Sequence, residues 1–127
     1  MEIFKKENGY AVNFVVGNLG SVYYVRGERP AMFTNSKGYV VVRFGPRHKW
    51  KLSLHHLVAN AFVHNPRPDI FKQVDHIDRD KSNNAASNLR WVNCKLNQRN
   101  RSTSKRETQL SFGALYEELT GTRPLWL

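Results

Sequence analysis

Between Lys72 and Asn100 the chain passes from a short apolar segment through a loop crowded with Asp and Asn into a second apolar segment, and then into a capped helix. Lys72–His76 and Leu89–Val92 have the length and apolar content of strands, and Ile77–Ser87 between them is polar and turn-rich. Asn93 stands where a helix N-cap is wanted. Together these signals predict a β-hairpin followed by a short helix. Adjacent strand residues point to opposite faces, so Asp75 and His76 can share a site only where the strand ends or twists.

The segments upstream read as an antiparallel β region. Tyr10–Val16, Ser21–Arg26 and Gly38–Phe44 are rich in Val, Tyr and Phe, and turn signals at Gly17-Asn18, Gly27 and Asn35–Gly38 separate them. A fourth strand around His48–Leu52 is expected to pair with Gly38–Phe44 across Gly45-Pro46. Ser53 reads as an N-cap, and Leu54, Leu57, Val58, Ala61 and Phe62 then repeat with helical spacing until Asn65-Pro66 stops the run. Beyond Asn100 the run RSTSKRETQ reads as a linker. A last helix is predicted at Phe112–Leu119, with Phe112, Leu115, Tyr116 and Leu119 on one face and Gly121 as its stop. The predicted class is α+β. Its parts are a β-rich region at 1–52, a helix plus hairpin core at 53–100, and a linker with a C-terminal helix at 101–127.

Charge narrows the partner. The formal net charge is +10, from 20 Lys+Arg against 10 Asp+Glu, and the excess is spread over both halves of the chain. A broad basic footprint on a small domain favours a polyanion, and nucleic acid is a commoner one than a membrane surface. Arg43, Arg47, Lys49, Lys51, Arg90, Lys95, Arg99 and Arg101, with Lys105 and Arg106, are the candidate phosphate contacts. The one cysteine, Cys94, excludes an internal disulfide and a cysteine-based zinc cluster. The sequence shows no signal-peptide pattern and no apolar run of membrane-spanning length, so a cytoplasmic setting is expected.

The residue types in the hairpin suit phosphodiester hydrolysis. A neutral histidine with a pKa of about 6.5 can take a proton from water. A carboxylate oxygen from Asp75 and an amide oxygen from Asn97 suit Mg²⁺, which keeps several waters and accepts few protein ligands. Asn97 lies about one helical turn beyond the Asn93 cap, within reach of the hairpin. Asp78-x-Asp80-x-Ser82 looks like the start of a calcium loop. Asn83 occupies the position of the required glycine and Leu89 that of the required glutamate, which excludes an EF-hand.

Asp75-His76-Ile77-Asp78, Asn83-Asn84, Asn88-Leu89-Arg90-Trp91 and Asn97 together resemble the HNH (ββα-metal) endonucleases, in particular their phage and intron-encoded homing branch. GYVVVRF and LSLHHLVANAFVHNPRP resemble that family's lead-in strand and helix, and VGNLGSVYYV loosely resembles the small module that often precedes them. The resemblance implies His76 as general base, Asp75 and Asn97 as ligands of Mg²⁺ or another divalent cation such as Mn²⁺, and Asn88 as the asparagine that ties down the loop. It implies a double-stranded DNA substrate, cut one strand at a time by a monomer. One departure stands out: the family's Asp-Gly-Asn is here Asp78-Arg79-Asp80, and arginine lacks glycine's freedom at positive φ.

Other residues are read more plainly. Asn83 and Asn84 are expected to form turns, Trp91 to pack the core, and His55 and His56 to pack or face solvent on their helix. The C-terminal helix is either a docking or dimer face, for a second copy or another protein, or a satellite of the core. The alternative to a nuclease is a non-catalytic DNA-binding or accessory protein of a phage packaging or replication complex.

Overall fold

A computed structural model describes residues 2–9, 12–44, 50–100, 105–124 and 126. Three antiparallel sheets carry the strands. The first holds β1 (Phe4–Gly9), β2 (Val12–Gly17) and β3 (Val22–Tyr24), and the second holds β4 (Ala31–Thr34), β5 (Val40–Phe44) and β6 (Trp50–Ser53). The third is the hairpin of β7 (Gln73–His76) and β8 (Leu89–Val92), with Asp75 opposite Arg90 and His76 opposite Leu89. The helices are α1 (Leu54–Phe62), α2 (Cys94–Arg99) and α3 (Lys105–Thr120).

The expected strands are present, β8 with the expected bounds and β3, β5 and β7 shorter, and β5 pairs with β6 with Phe44 opposite Trp50. Tyr10, Ala11, the turn at residues 45–49 and residues 101–104 lie outside the described residues. Two strands were not legible in the sequence. β1 (FKKENG) and β4 (AMFT) are edge strands. An edge strand is held chiefly by its ladder of backbone bonds and tolerates charge, so it need not carry an apolar alternation.

α1 sits at the centre. Leu54, Leu57, Val58 and Ala59 pack with Phe14 and Val16 of β2, Val22 of β3, Val42 and Phe44 of β5, and Val74 and Leu89 of the hairpin. Burial of each large side chain contributes roughly 1.5–3 kcal/mol before entropy is counted, so this cluster fixes the hairpin against the upstream sheets. Ser53 occupies the N-cap position of α1, but its side chain makes no capping bond. His55 also faces inward and is buried, which an apolar-only periodicity passes over.

A second cluster joins the hairpin to the C-terminal helix through Phe71, Val92, Leu96, Phe112, Leu115 and Tyr116. The linker expectation fails from Lys105 onward, where α3 begins seven residues before the predicted start at Phe112. Lys, Arg, Glu and Gln are good helix formers. Gln109 is also anchored: it accepts from Arg90 Nη1 at 2.9 Å and donates to the Ile77 carbonyl at 3.3 Å. The helix stops at Gly121, whose φ of +75° suits only glycine comfortably.

Candidate active site

Asp75 and His76 end β7, and both are buried. They line one cavity of about 100 Å³ together with Tyr39, Val74, Arg79, Lys81, Asn97 and Asn100. The strand ends at His76, so the alternation that would separate the two side chains is not enforced beyond it. Asn97, on α2, sits within 3.5 Å of Gln73 through its amide nitrogen, which leaves its carbonyl oxygen for other partners. Asn93 caps α2 by accepting from the Leu96 N–H at 3.0 Å, and this cap sets the register that aims Asn97 at the hairpin.

His76 is held from several sides. Its Nε2 lies 2.8 Å from Asn84 Oδ1, while Asn84 Nδ2 donates to the Ser82 carbonyl at 3.4 Å. An amide oxygen can only accept, so Nε2 is the donor in this bond, and the tautomer it selects has its lone pair on Nδ1. The rings of Tyr39 and His55 pack beside it, with centroids at 5.9 and 5.0 Å. Asn84 was expected to be a plain turn residue. It is instead the buried partner of the histidine, and the Asn83-Asn84 pair was the sequence signal. The turn between β2 and β3 supports it: the Asn18 carbonyl accepts from the Ala86 N–H at 2.7 Å, and Gly20 lies against Asn84.

Asp75 is clamped through one oxygen. Its Oδ2 accepts from Arg90 Nε at 3.0 Å and Asn100 Nδ2 at 2.8 Å, with Arg90 Nη2 at 2.9 Å. Oδ1 carries none of these contacts. Burial pushes the Asp75 carboxyl above the usual carboxylate range, against the opposing pull of Arg90, Asn100 and His76. Asn100 also donates to the His76 carbonyl at 3.0 Å, a role that nothing in its position after α2 announced.

Arg90 overturns an expectation. As a DNA contact it would have to reach the surface, yet it is only 1% exposed. Its guanidinium pairs with Asp75 and lies over the rings of Phe112 at 3.5 Å and Trp126 at 5.1 Å. A strand residue opposite a buried carboxylate has its nearest counter-charge there, and burying either alone would be costly. Among the other candidate contacts, Lys51, Lys95 and Arg99 are exposed, and Arg43 is half-buried with its guanidinium 4.2 Å from the Phe33 ring centre. Arg47, Lys49 and Arg101 lie outside the described residues, and the side chains of Lys105 and Arg106 are likewise not described.

The loop is pinned by Asn88. Its Nδ2 donates to Asp78 Oδ1 at 2.8 Å and to the Asn83 carbonyl at 2.9 Å, and its Oδ1 accepts from the Asp78 N–H at 3.1 Å. Asp78 also accepts from the Asp80 N–H and from Asn83 Nδ2. Within this frame Arg79 has a φ of +67°, the one positive value at a non-glycine position among the described residues. That conformation costs an L-residue roughly 1–2 kcal/mol. Trp91 is half-buried, stacks on His56 and donates to the Val63 carbonyl at 3.0 Å.

His55 has a measurable consequence. Burial, then the neighbouring His76 and His56, push its pKa down to about 3. The unfolded chain would take up that proton near pH 6.5, so it binds more protons than the folded chain between about 6.5 and 3. Stability from this group is therefore complete above pH 6.5 and falls as pH falls. Its slope approaches about 1.4 kcal/mol per pH unit. Thermal melts from pH 7.5 to 4.5 should show the decline, and His55→Leu should flatten it. An equal decline in the variant would contradict the assignment.

Two oxygen donors on one small cavity fit a hard divalent cation that keeps most of its water. No group of three or more His, Cys, Asp and Glu gathers to hold a metal among the described residues.

A family model described as HNH endonuclease matches residues 53–99. DNA endonuclease I-HmuI of Bacillus phage SP01 is 33% identical over 114 residues, covering 88% of this chain and 60% of that protein. Uncharacterized HNH endonucleases L247 and L245 of Acanthamoeba polyphaga mimivirus are 35% and 34% identical over 86 residues. These matches cover 66% and 67% of this chain, but 22% and 26% of the viral proteins. The chain thus spans between about a fifth and three fifths of these relatives. A solved structure titled for DNA binding and cleavage by the HNH homing endonuclease I-HmuI superposes with a TM-score of 0.65 at 28% identity, covering 89% of this chain and 68% of that one. Residues 53–99 thus match the HNH endonuclease family, and most of the chain resembles an HNH homing endonuclease in sequence and fold.

Proposed function

We propose that this chain is a DNA endonuclease in which His76 activates the attacking water. The observation that carries this reading is the convergence of Asp75, His76 and Asn97 on one cavity, with His76 Nε2 committed to Asn84. His76 Nδ1 takes a proton from water as the water oxygen bonds to phosphorus. The bond from phosphorus to the 3′ oxygen breaks, that oxygen gains a proton, and the ends are a 5′-phosphate and a 3′-hydroxyl. Asp75 and Asn97 would hold a divalent cation, Mg²⁺ or Mn²⁺. When bound, it supplies positive charge to the phosphate and the leaving oxygen.

Arg90 and Asn100 keep the Asp75 carboxylate oriented through Oδ2, so Oδ1 is the oxygen available for the cation. Asn88 and Asp78 hold the loop that carries Asn84 in its place. Lys51, Lys95 and Arg99, with the N-terminal strands, would grip the duplex backbone in a salt-dependent way. One such centre cuts one strand, so a single copy should nick. The names of the relatives support a phage or mobile-element role of the homing type. No helix among the described residues is long and apolar enough to cross a membrane.

The end chemistry tests the reaction. Supercoiled plasmid incubated with the protein and Mg²⁺ should give nicked circles that DNA ligase reseals directly, and EDTA should abolish nicking. Nicks that ligase cannot seal without prior phosphatase and kinase treatment would contradict attack with 3′-oxygen departure.

A further inference from the structure

The turn between β2 and β3 touches the loop that carries Asn84 at two points, one on each side of Ala85. The Asn18 carbonyl accepts from the Ala86 N–H at 2.7 Å, and Gly20 lies against the Cβ and carbonyl of Asn84. Ala86 opens the one-turn 3₁₀ helix that ends at Asn88, the residue pinning the loop. Asn84 is 4% exposed, and its Oδ1 meets His76 Nε2 at 2.8 Å. Its other side-chain bond, from Nδ2 to the Ser82 carbonyl, is long at 3.4 Å. The place of Asn84 therefore depends on the turn as well as on its own loop.

A carboxylate holds that turn. Glu2 Oε2 accepts from the Leu19 and Ser21 N–H groups, each at 3.0 Å. The turn closes on itself through Gly17 N–H to the Ser21 carbonyl at 2.7 Å and Gly20 N–H to the Gly17 carbonyl at 3.0 Å. Those bonds leave the Leu19 and Ser21 donors to Glu2. Ile3 fastens the same segment, donating its N–H to Asn18 Oδ1 at 2.8 Å and accepting from the Asn18 N–H at 2.9 Å. Gly17 makes the seat, since a Cβ there would fall on the Glu2 carboxylate. Bonds from backbone N–H groups to a carboxylate are roughly twice as strong as neutral ones. Residues 17–21 put no side chain into the cavity around His76, so their bearing on it runs through Asn84 and Ala86.

We infer that Glu2 is a positioning residue for His76: by seating the turn through Leu19 and Ser21, it holds Asn84 where that amide orients the imidazole. The effect on rate rests on the nuclease reading, and the effect on the ring does not. The ring is read first, in EDTA and without DNA, from the nitrogen NMR signals of the His76 imidazole. The pH is fixed at about 8, where an ordinary histidine is neutral. Wild type should show the proton on Nε2. Glu2→Ala, and Gly17→Ala, which evicts the carboxylate, should both shift the ring toward a mixture of tautomers. Glu2→Gln keeps an acceptor oxygen of the same reach and should restore most of the wild-type signal. Both Glu2 variants remove the same charge, so a long-range charge effect would move them alike. Single-turnover nicking with Mg²⁺ at saturating protein should slow about 10-fold in Glu2→Ala and Gly17→Ala, because small misplacements of a reacting group are costly. Glu2→Gln should nick near the wild-type rate, and duplex affinity in EDTA should be the same in all four proteins.

If wild type fails to nick but the ring signals move in Glu2→Ala and Gly17→Ala and return in Glu2→Gln, the nuclease reading fails and the positioning role stands. Ring signals that stay at wild-type values in Glu2→Ala and Gly17→Ala would overturn the inference, as would equal shifts in Glu2→Ala and Glu2→Gln. General loss of the folded amide spectrum in both Glu2→Ala and Gly17→Ala would make Glu2 a brace of the sheet alone, and would overturn it too.

Discussion

Arg90→Ala is expected to lower the stability of this protein by about 3–5 kcal/mol, the usual effect of stranding one member of a buried ion pair. In a domain of this size that is a fall in melting temperature of roughly 10–20 °C. The reason is local. Asp75 is 8% exposed and would keep Asn100 as its remaining side-chain donor, while the Phe112 and Trp126 rings would lose the guanidinium they lie against. Arg90→Met should recover part of the loss by refilling the space over Phe112, but not the charge. Lys51→Ala, which removes an exposed cation from β6, serves as the comparison and should melt with wild type. A melting temperature for Arg90→Ala within a degree or two of wild type would contradict the buried role and reopen Arg90 as a surface contact.

His76→Ala carries the largest expected effect on activity. Removing a positioned base typically lowers a rate by about 10²–10⁴-fold. Here the loss should fall toward the upper part of that range, because the base also donates an orienting bond to Asn84 that no water would reproduce. Duplex binding should persist, since the exposed cations on β6 and α2 are untouched. Asn84→Ala should act through the same ring with a smaller loss of rate. It removes the acceptor that places the proton on Nε2 but leaves the imidazole in the site. If His76→Ala lost duplex binding and folding together with cleavage, the residue would be structural and the base would lie elsewhere.

The hairpin and α2 were legible because their signals are local. The apolar runs at 72–76 and 89–92 and the Asn93 cap each act within a few residues. α1 was legible by period, since five positions repeat on one face. What escaped the sequence depends on pairing across distance. β1 and β4 are recognised by their partners' ladders and not by their own side chains. Asn100 acquires its role only because α2 brings it back over Asp75 and the His76 carbonyl. Arg90 looked like any basic residue of a basic chain until its register opposite Asp75 was known. The early start of α3 follows likewise from a tertiary anchor at Gln109. Asp75, His76, Asn88 and Asn97 were named from the motif, and their shared placement on one cavity and one loop frame is what folding adds.

The most direct measurement is plasmid relaxation by wild type and His76→Ala in parallel, at matched folded fraction and matched duplex binding. Wild type should convert supercoiled plasmid to nicked circles in Mg²⁺ and leave it intact in EDTA, while His76→Ala leaves it intact in both. Equal conversion by the two proteins, or intact plasmid with wild type in every divalent metal tried, would contradict the account.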